Sequence, residues 1–245
     1  MRLIKYGTIC LFIALMLGFK QESEKLIERE ILDVEVYETS ASGNNLTKVM
    51  PFEVKDSTTV ITINEEVTFQ TITGFGGAFT ESSAYLLNRL SKKNRDTIIN
   101  AYFSREGANY SLTRTHMNSC DFSLSQYSYS PVEDDVNLEH FSIEEDRDDL
   151  IPMIKDAMAA SEDGFEIFAS PWTAAPWMKD NNIWVVCTLL PKYYDTCALF
   201  FSKYADAYEA EGIPIWGFTV ENEQLGNGNN WERMHYTHKE MTDVF

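Results

Sequence analysis

The hydrophobic and polar positions change period once along the chain. Residues 27–70 read as extended: "ILDVEVYETS" and "TTVITINEEVTFQTI" carry β-branched residues in rough alternation, with a turn signal, "SGNN", between them. From residue 71 short strands alternate with helical segments. "TITGFGGAFTESS" is a short strand leading into glycine-rich backbone. A helical stretch follows over about 82–103, divided near Ser91, whose hydroxyl can cap the second part; there Ile98/Tyr102 and Ile99/Phe103 recur at i,i+4. "NYSLTRT" (109–115) is a second strand and 116–141 a long polar loop. Asp148 or Asp149 opens a helix over about 150–161, with Pro152 tolerated in its first turn. "FEIFASPW" (165–172) is a third strand. Pro191 opens an amphipathic helix with Tyr194, Ala198, Phe201, Ala205 and Tyr208 on one stripe, and Gly212 ends it. "IPIWGFTVENE" is a fourth strand, and a last helix starts near Thr237.

Strand, helix, strand, helix in strict alternation predicts parallel strands joined by helical crossovers. An eight-stranded α/β barrel takes about 250 residues, and four βα units fit after residue 70. The pattern is that of a small open α/β sheet or of the first half of a larger barrel; a helix without a terminal cap at Phe245 favours the second.

Composition narrows the partners. The chain has 245 residues, is 44% hydrophobic and carries a net charge of −18, which argues against nucleic acid and anionic membranes and suits a neutral substrate such as a sugar. Residues 1–20 resemble an export signal: Arg2 and Lys5 precede the apolar run "GTICLFIALMLGF" (7–19), too short to span a bilayer comfortably, so 1–25 is set apart from the fold. Past that segment stand Cys120, Cys187 and Cys197, which do not make a disulfide framework. The four His have no ligand spacing, so neither a metal nor any other cofactor is expected.

Chemistry-bearing residues gather where strands end: "RTHMNSCDFS" (114–123), "ASPWTAAPW" (169–177) and "ENE" (221–223). In α/β barrels the C-terminal strand ends line the active site. Glu221 and Glu223, two apart on a strand, are expected on one face, Glu223 nearer the mouth and Glu221 deeper. Solvated loop carboxylates are the plainer alternative. Trp172 and Trp177, each beside a proline, can offer flat platforms to sugar rings, whereas core packing suits Trp216. Asp121 can accept sugar hydroxyls or cap a local turn. Arg114, if buried, needs a carboxylate partner; otherwise it is a charge on the rim. "GFGGAFTES" (74–82) lacks both GxGxxG spacing and a Walker lysine, so it is not read as a phosphate cradle.

Taken in order, "GFGGAFTES", "NSCDFS", "ASPWTAAPW" and "TVENE" resemble glycoside hydrolase family 30, the glucosylceramidases. The resemblance covers about 65–245 and implies a (β/α)8 TIM barrel beside a β-sandwich-like domain. By that resemblance 26–70 supplies strands of the accessory domain and 71–245 the first four βα units of the barrel. It further implies a retaining hydrolase of β-glucosides, with Glu223 as acid/base and Asn222 on the sugar 2-hydroxyl. Asp121 and Trp172 would line the glucose pocket, and Arg114 would support the catalytic carboxylates. Three features depart from the family. Gln224 stands where proline is usual, "NNIWVVCTLLP" (181–191) is unusually apolar, and the nucleophile belongs at the end of a seventh strand, whereas this sequence stops after the fourth.

The leading expectation is therefore an exported β-glycosidase acting on a glycolipid or an oligosaccharide, with no nucleic-acid partner and no stable membrane span. The 245 residues by themselves are expected to be inactive. A β-1,6-glucanase or a xylan-directed enzyme is the nearest variant, and a non-catalytic sugar-binding or unproductive truncated protein is the alternative from another class.

Overall fold

The computed structural model describes residues 35–50, 59, 61–225 and 230–245. The leader expected at 1–25, the first part of the N-terminal extended segment and the glycine-rich loop at 226–229 lie outside the described residues. The chain divides into two compact units, Met1–Thr68 and Phe69–Phe245.

In the first unit β1 (Val36–Glu38) pairs antiparallel with β2 (Thr47–Val49), Val36 opposite Val49 and Glu38 opposite Thr47. The expected turn lies between them, closed by Gly43 N–H donating to Ser40 C=O at 3.2 Å, with Gly43 at φ 108°. The second strand is not where alternation placed it. Residues 61–72 form no strand, and Ile61, Ile63, Phe69 and Ile72 are exposed. Alternation makes a strand only where a partner pairs with it, and residues 61–72 pair with no strand among the described residues.

The second unit is built on a parallel sheet, β3 (Leu112–Met117), β4 (Glu166–Pro171) and β5 (Gly217–Phe218), in that spatial order. Leu112 pairs with Glu166, Arg114 with Phe168 and Phe168 with Gly217. The expected first strand shrinks to a bridge between Ala78 and Arg114, flanked by Phe79 N–H to Arg114 C=O at 2.8 Å and Arg114 N–H to Gly77 C=O at 3.2 Å. A Cβ at Gly76 would stand 1.7 Å from Leu112 O, so close backbone approach explains the glycine run without any ligand. Beyond β5 the chain stays on β4 through Thr219 N–H to Ala169 C=O at 3.0 Å and Asn222 N–H to Pro171 C=O at 2.8 Å. Among the described residues the sheet does not close.

Local chemistry sets the helices. Thr80 caps α1 (Glu81–Asn88) and Ser91 caps α2 (Lys92–Phe103), each side-chain oxygen accepting an N–H three residues on at 3.3 Å. α3 (Glu144–Arg147) is one turn. α4 (Leu150–Ala160) starts at Asp149, whose carboxylate does not cap it and instead accepts from Asn88 Nδ2. Pro191 opens a 3-10 turn that runs into α5 (Tyr194–Ala210), closed at Gly212 with φ 80°. α6 (His238–Val244) carries a full capping box, Thr237 with Glu240. The buried stripe of α5 is rotated from the expected one. Cys197, Phe200, Phe201, Tyr204 and Tyr208 face the core, while Ala198 is exposed, because the aromatic residues reach further into the core than alanine does.

The helical side is tied to one buried acid. Asp146, 1% exposed, accepts hydroxyls from Tyr127 at 3.2 Å and from Tyr129 and Tyr208 at 2.6 Å. Burial raises its pKa, and the tyrosine hydroxyls oppose that shift. Tyr129 and Tyr208 both stack on Tyr204, at 5.8 and 4.3 Å, so polar and aromatic contacts reinforce one another. Asp146→Ala strands all three hydroxyls and is expected to cost on the order of 3 kcal/mol or more, against about 1–2 kcal/mol for Tyr208→Phe. Urea unfolding of the two variants checks the order.

Candidate active site

The two faces of the sheet differ. Thr113, Thr115, Met117, Ile167 and Ala169 are buried, while Leu112, Arg114, Glu166 and Phe168 are half-buried. Arg114 is the cationic member of that second face. Its Nε donates to Ser170 Oγ at 2.9 Å, one Nη donates to Asn222 Oδ1 at 2.8 Å, and its guanidinium lies 4.5 Å from the Trp172 ring. One side chain of β3 thus joins the end of β4 to the segment following β5. Burial lowers the pKa of Arg114, opposed by Cys120, Asp121 and Glu223. Among the described residues two neutral acceptors meet the guanidinium in contact, and Asp121 and Glu223 act on it by charge. A guanidinium has no acceptor atom, so Asn222 must present Oδ1 to it and its Nδ2–H2 is directed elsewhere.

Glu223 is exposed at the end of this segment, with φ 52°, left-handed for a residue bearing a Cβ. Asp121 is exposed in the loop after β3, and no turn-capping bond from it occurs among the described residues. Trp172 is half-buried. Arg114, Asn222, Trp172, Asp121 and Glu223 therefore meet in contact or in charge around one guanidinium.

Three expectations change. Glu221 and Glu223 do not share a face. Thr219 Oγ1 donates to Ser170 Oγ at 2.6 Å, so Thr219 lies on the Arg114 side, and Asn222, three residues on, lies there too. An odd spacing on one face means the strand period is lost between them. Glu221 turns instead into the protein, 8% exposed, where burial pushes its pKa up to about 9 against the pull of the Met234 N–H and the Lys179 and Arg233 charges. Trp177 is no platform: it is buried in the 3-10 turn Pro176–Met178, and its Nε1 donates to Ser130 C=O at 2.9 Å. Trp216 is no core residue: it is 57% exposed beside β5, the last strand of the described sheet.

Sequence reasoning missed Ser170, although strand alternation back from Trp172 reaches it. It also missed the polar layer beneath the site. His116 is buried, with Nε2 at 3.3 Å from the Glu81 N–H and Nδ1 at 2.8 Å from Asn118 C=O. Lys179 is buried with Nζ donating to Thr173 Oγ1 at 2.6 Å, and Ser119 donates to buried Glu232 at 2.8 Å. Cys120, Cys187 and Cys197 are buried free thiols. No group of His, Cys, Asp and Glu that could hold a metal occurs among the described residues, nor is any described helix long and apolar enough to cross a membrane.

Residues 72–243 match the TIM-barrel domain of glycosyl hydrolase family 30. The chain belongs to this family. It is 36% identical over 170 residues to the lysosomal acid glucosylceramidase of Mus musculus, covering 67% of this chain and 33% of that one. It is 31% identical over 182 residues to the endo-1,6-β-D-glucanase of Neurospora crassa, covering 71% and 38%. The solved endo-β1,6-glucanase BT3312 superposes with a TM-score of 0.71 at 32% identity, covering 86% of this chain and 47% of that one. The chain thus spans less than half the length of the relatives it matches.

Arg114 and Asn222 are expected to be energetically coupled. Arg114→Lys keeps the charge, loses the fork and should cost about 1–2 kcal/mol of stability. In a double-mutant cycle with Asn222→Ala the coupling should be about 0.5–2 kcal/mol. Additive effects would show that the Arg114–Asn222 bond carries no energy.

Proposed function

We propose that this chain is the acid/base half of a retaining β-glycoside hydrolase, acting on β-glucosides of a glycolipid or an oligosaccharide. The observation that carries the reading is the convergence of strand ends on Arg114, with Glu223 exposed just beyond. Glu223 protonates the departing glycosidic oxygen and then, as the carboxylate, takes a proton from the water that releases the sugar. Asn222, its Oδ1 engaged by Arg114, has its Nδ2–H2 to donate to the sugar 2-hydroxyl. Asp121 accepts hydroxyls, and Trp172 offers the ring face not occupied by Arg114. Glucosylceramidases and β-1,6-glucanases among the relatives support the substrate class.

In this reading residues 71–245 are the first four βα units of an eight-stranded barrel, and 26–70 contributes strands to an accessory β-domain. The leader at 1–25, with Arg2 and Lys5 before its apolar run, directs export. A retaining enzyme places a second carboxylate about 5–5.5 Å from the acid/base. Glu221 is directed away from Arg114 and does not fill that role, so the 245 residues alone hydrolyse no glycoside at a useful rate. A sugar-binding role without catalysis is favoured for the chain in isolation by the same observation.

Two measurements test this. Residues 26–245 assayed on an aryl β-glucoside should show no turnover; turnover abolished by Glu223→Ala would overturn the half-site reading. In any longer form that does turn over, Glu223→Gln should slow poor leaving groups far more than activated aryl glycosides, since only the former need protonation. Equal loss on both would remove Glu223 from the acid/base role. Asp121→Ala should weaken binding of a glucose-like iminosugar by about 1–3 kcal/mol, and an unchanged dissociation constant would place that loop outside the pocket.

A further inference from the structure

Glu221 is two residues from Glu223, yet it is buried and neither of its oxygens makes a hydrogen bond of full geometry with a described group. The titratable groups around it are Lys179 and Cys187 after β4, Cys197 on α5, and Arg233 and Tyr236 before α6. Both cations act on it by charge, and each also has a contact of its own: Lys179 Nζ donates to Thr173 Oγ1 at 2.6 Å and Arg233 Nη2 donates to His235 Nε2 at 2.6 Å. A carboxylate in such a place loses its hydration, and the Met234 N–H and the charges of Lys179 and Arg233 offset that only in part, whereas the neutral acid loses far less. One peptide unit separates Glu221 from Asn222, whose N–H holds Pro171 C=O and whose Oδ1 holds Arg114. Any outward movement of Glu221 toward water pulls on both bonds.

We propose that Glu221 is a positioning residue: as a buried, uncharged acid it locks the strand end that presents Asn222 and Glu223, and its ionisation releases that strand end. The consequence for catalysis rests on the reading of Glu223 as acid/base, but the lock itself does not. In the unfolded chain the group ionises near its ordinary 4.5, and in the folded chain near 9. Its folded pKa is raised, so its contribution to stability is full below the lower value and is lost as pH climbs to the upper one. The site therefore has an alkaline limit set by a residue that touches no substrate.

Carbon-detected NMR of the full chain, labelled with 13C and 15N, tests this without substrate. The Asn222 and Glu223 backbone carbons and Arg114 Cζ should shift together with a midpoint near 9. In Glu221→Gln they should stay at their low-pH values throughout, the isosteric amide standing in for the neutral acid. In Lys179→Met the midpoint should rise, because a neighbouring cation that favours the carboxylate has gone. The proposal is overturned if the wild-type resonances do not move, if they still titrate in Glu221→Gln, or if the transition vanishes in Lys179→Met, which would assign it to the lysine. Failure of the wild-type chain to bind a glucose-like iminosugar would count against the glycosidase reading and leave the resonance result standing.

Discussion

The site depends on one half-buried guanidinium that must satisfy its donors inside the sheet. Arg114 has several N–H groups and no acceptor, and burial works against its charge. It is met by a hydroxyl from the end of β4, an amide from the segment after β5 and the face of an indole, with carboxylates around it. The partners come from two stretches of chain, Ser170 and Trp172 at the end of β4 and Asn222 after β5. Satisfying Arg114 therefore also fixes how the strand ends lie beside one another. The Thr219–Ser170 contact extends the same arrangement by one hydroxyl.

The two carboxylates of Glu-Asn-Glu show how environment divides identical groups. Glu223 stands exposed beyond the sheet. Glu221 turns inward, where burial favours the uncharged form. The separation comes from the backbone: the strand period ends after Thr219, and Glu223 takes a left-handed φ of 52°. On the other side of the sheet, tyrosines around Asp146 hold the helices in place, so the open, polar face rests on a rigid, buried one.

Helices and caps were legible in the sequence because they follow local rules. Ser91, Thr237, Pro191 and Gly212 act where their chemistry predicts. That Arg114, Trp172 and Asn222 come together was legible through strand-end position and the resemblance of their motifs. What escaped depended on distant partners or on a broken period. A strand at 61–72 needed a pairing partner, and it has none among the described residues. The fates of Trp177 and Trp216 turned on Ser130 and on the edge position of β5, neither of which local pattern contains. Glu221 escaped because alternation was extended past the point where the strand ends. Asp146 escaped because its three tyrosines are up to 62 positions away along the chain.

The central claim is that Arg114 holds in place the amide of Asn222, which we propose binds the sugar. Calorimetric binding of a glucose-like iminosugar to the full chain tests it most directly, comparing wild type with Arg114→Lys. A lysine keeps the charge but cannot serve Ser170 and Asn222 in one planar fork. The account predicts that wild type binds and that Arg114→Lys binds about tenfold or more weakly, a loss of roughly 1.4 kcal/mol. Equal affinity for the two proteins would contradict it.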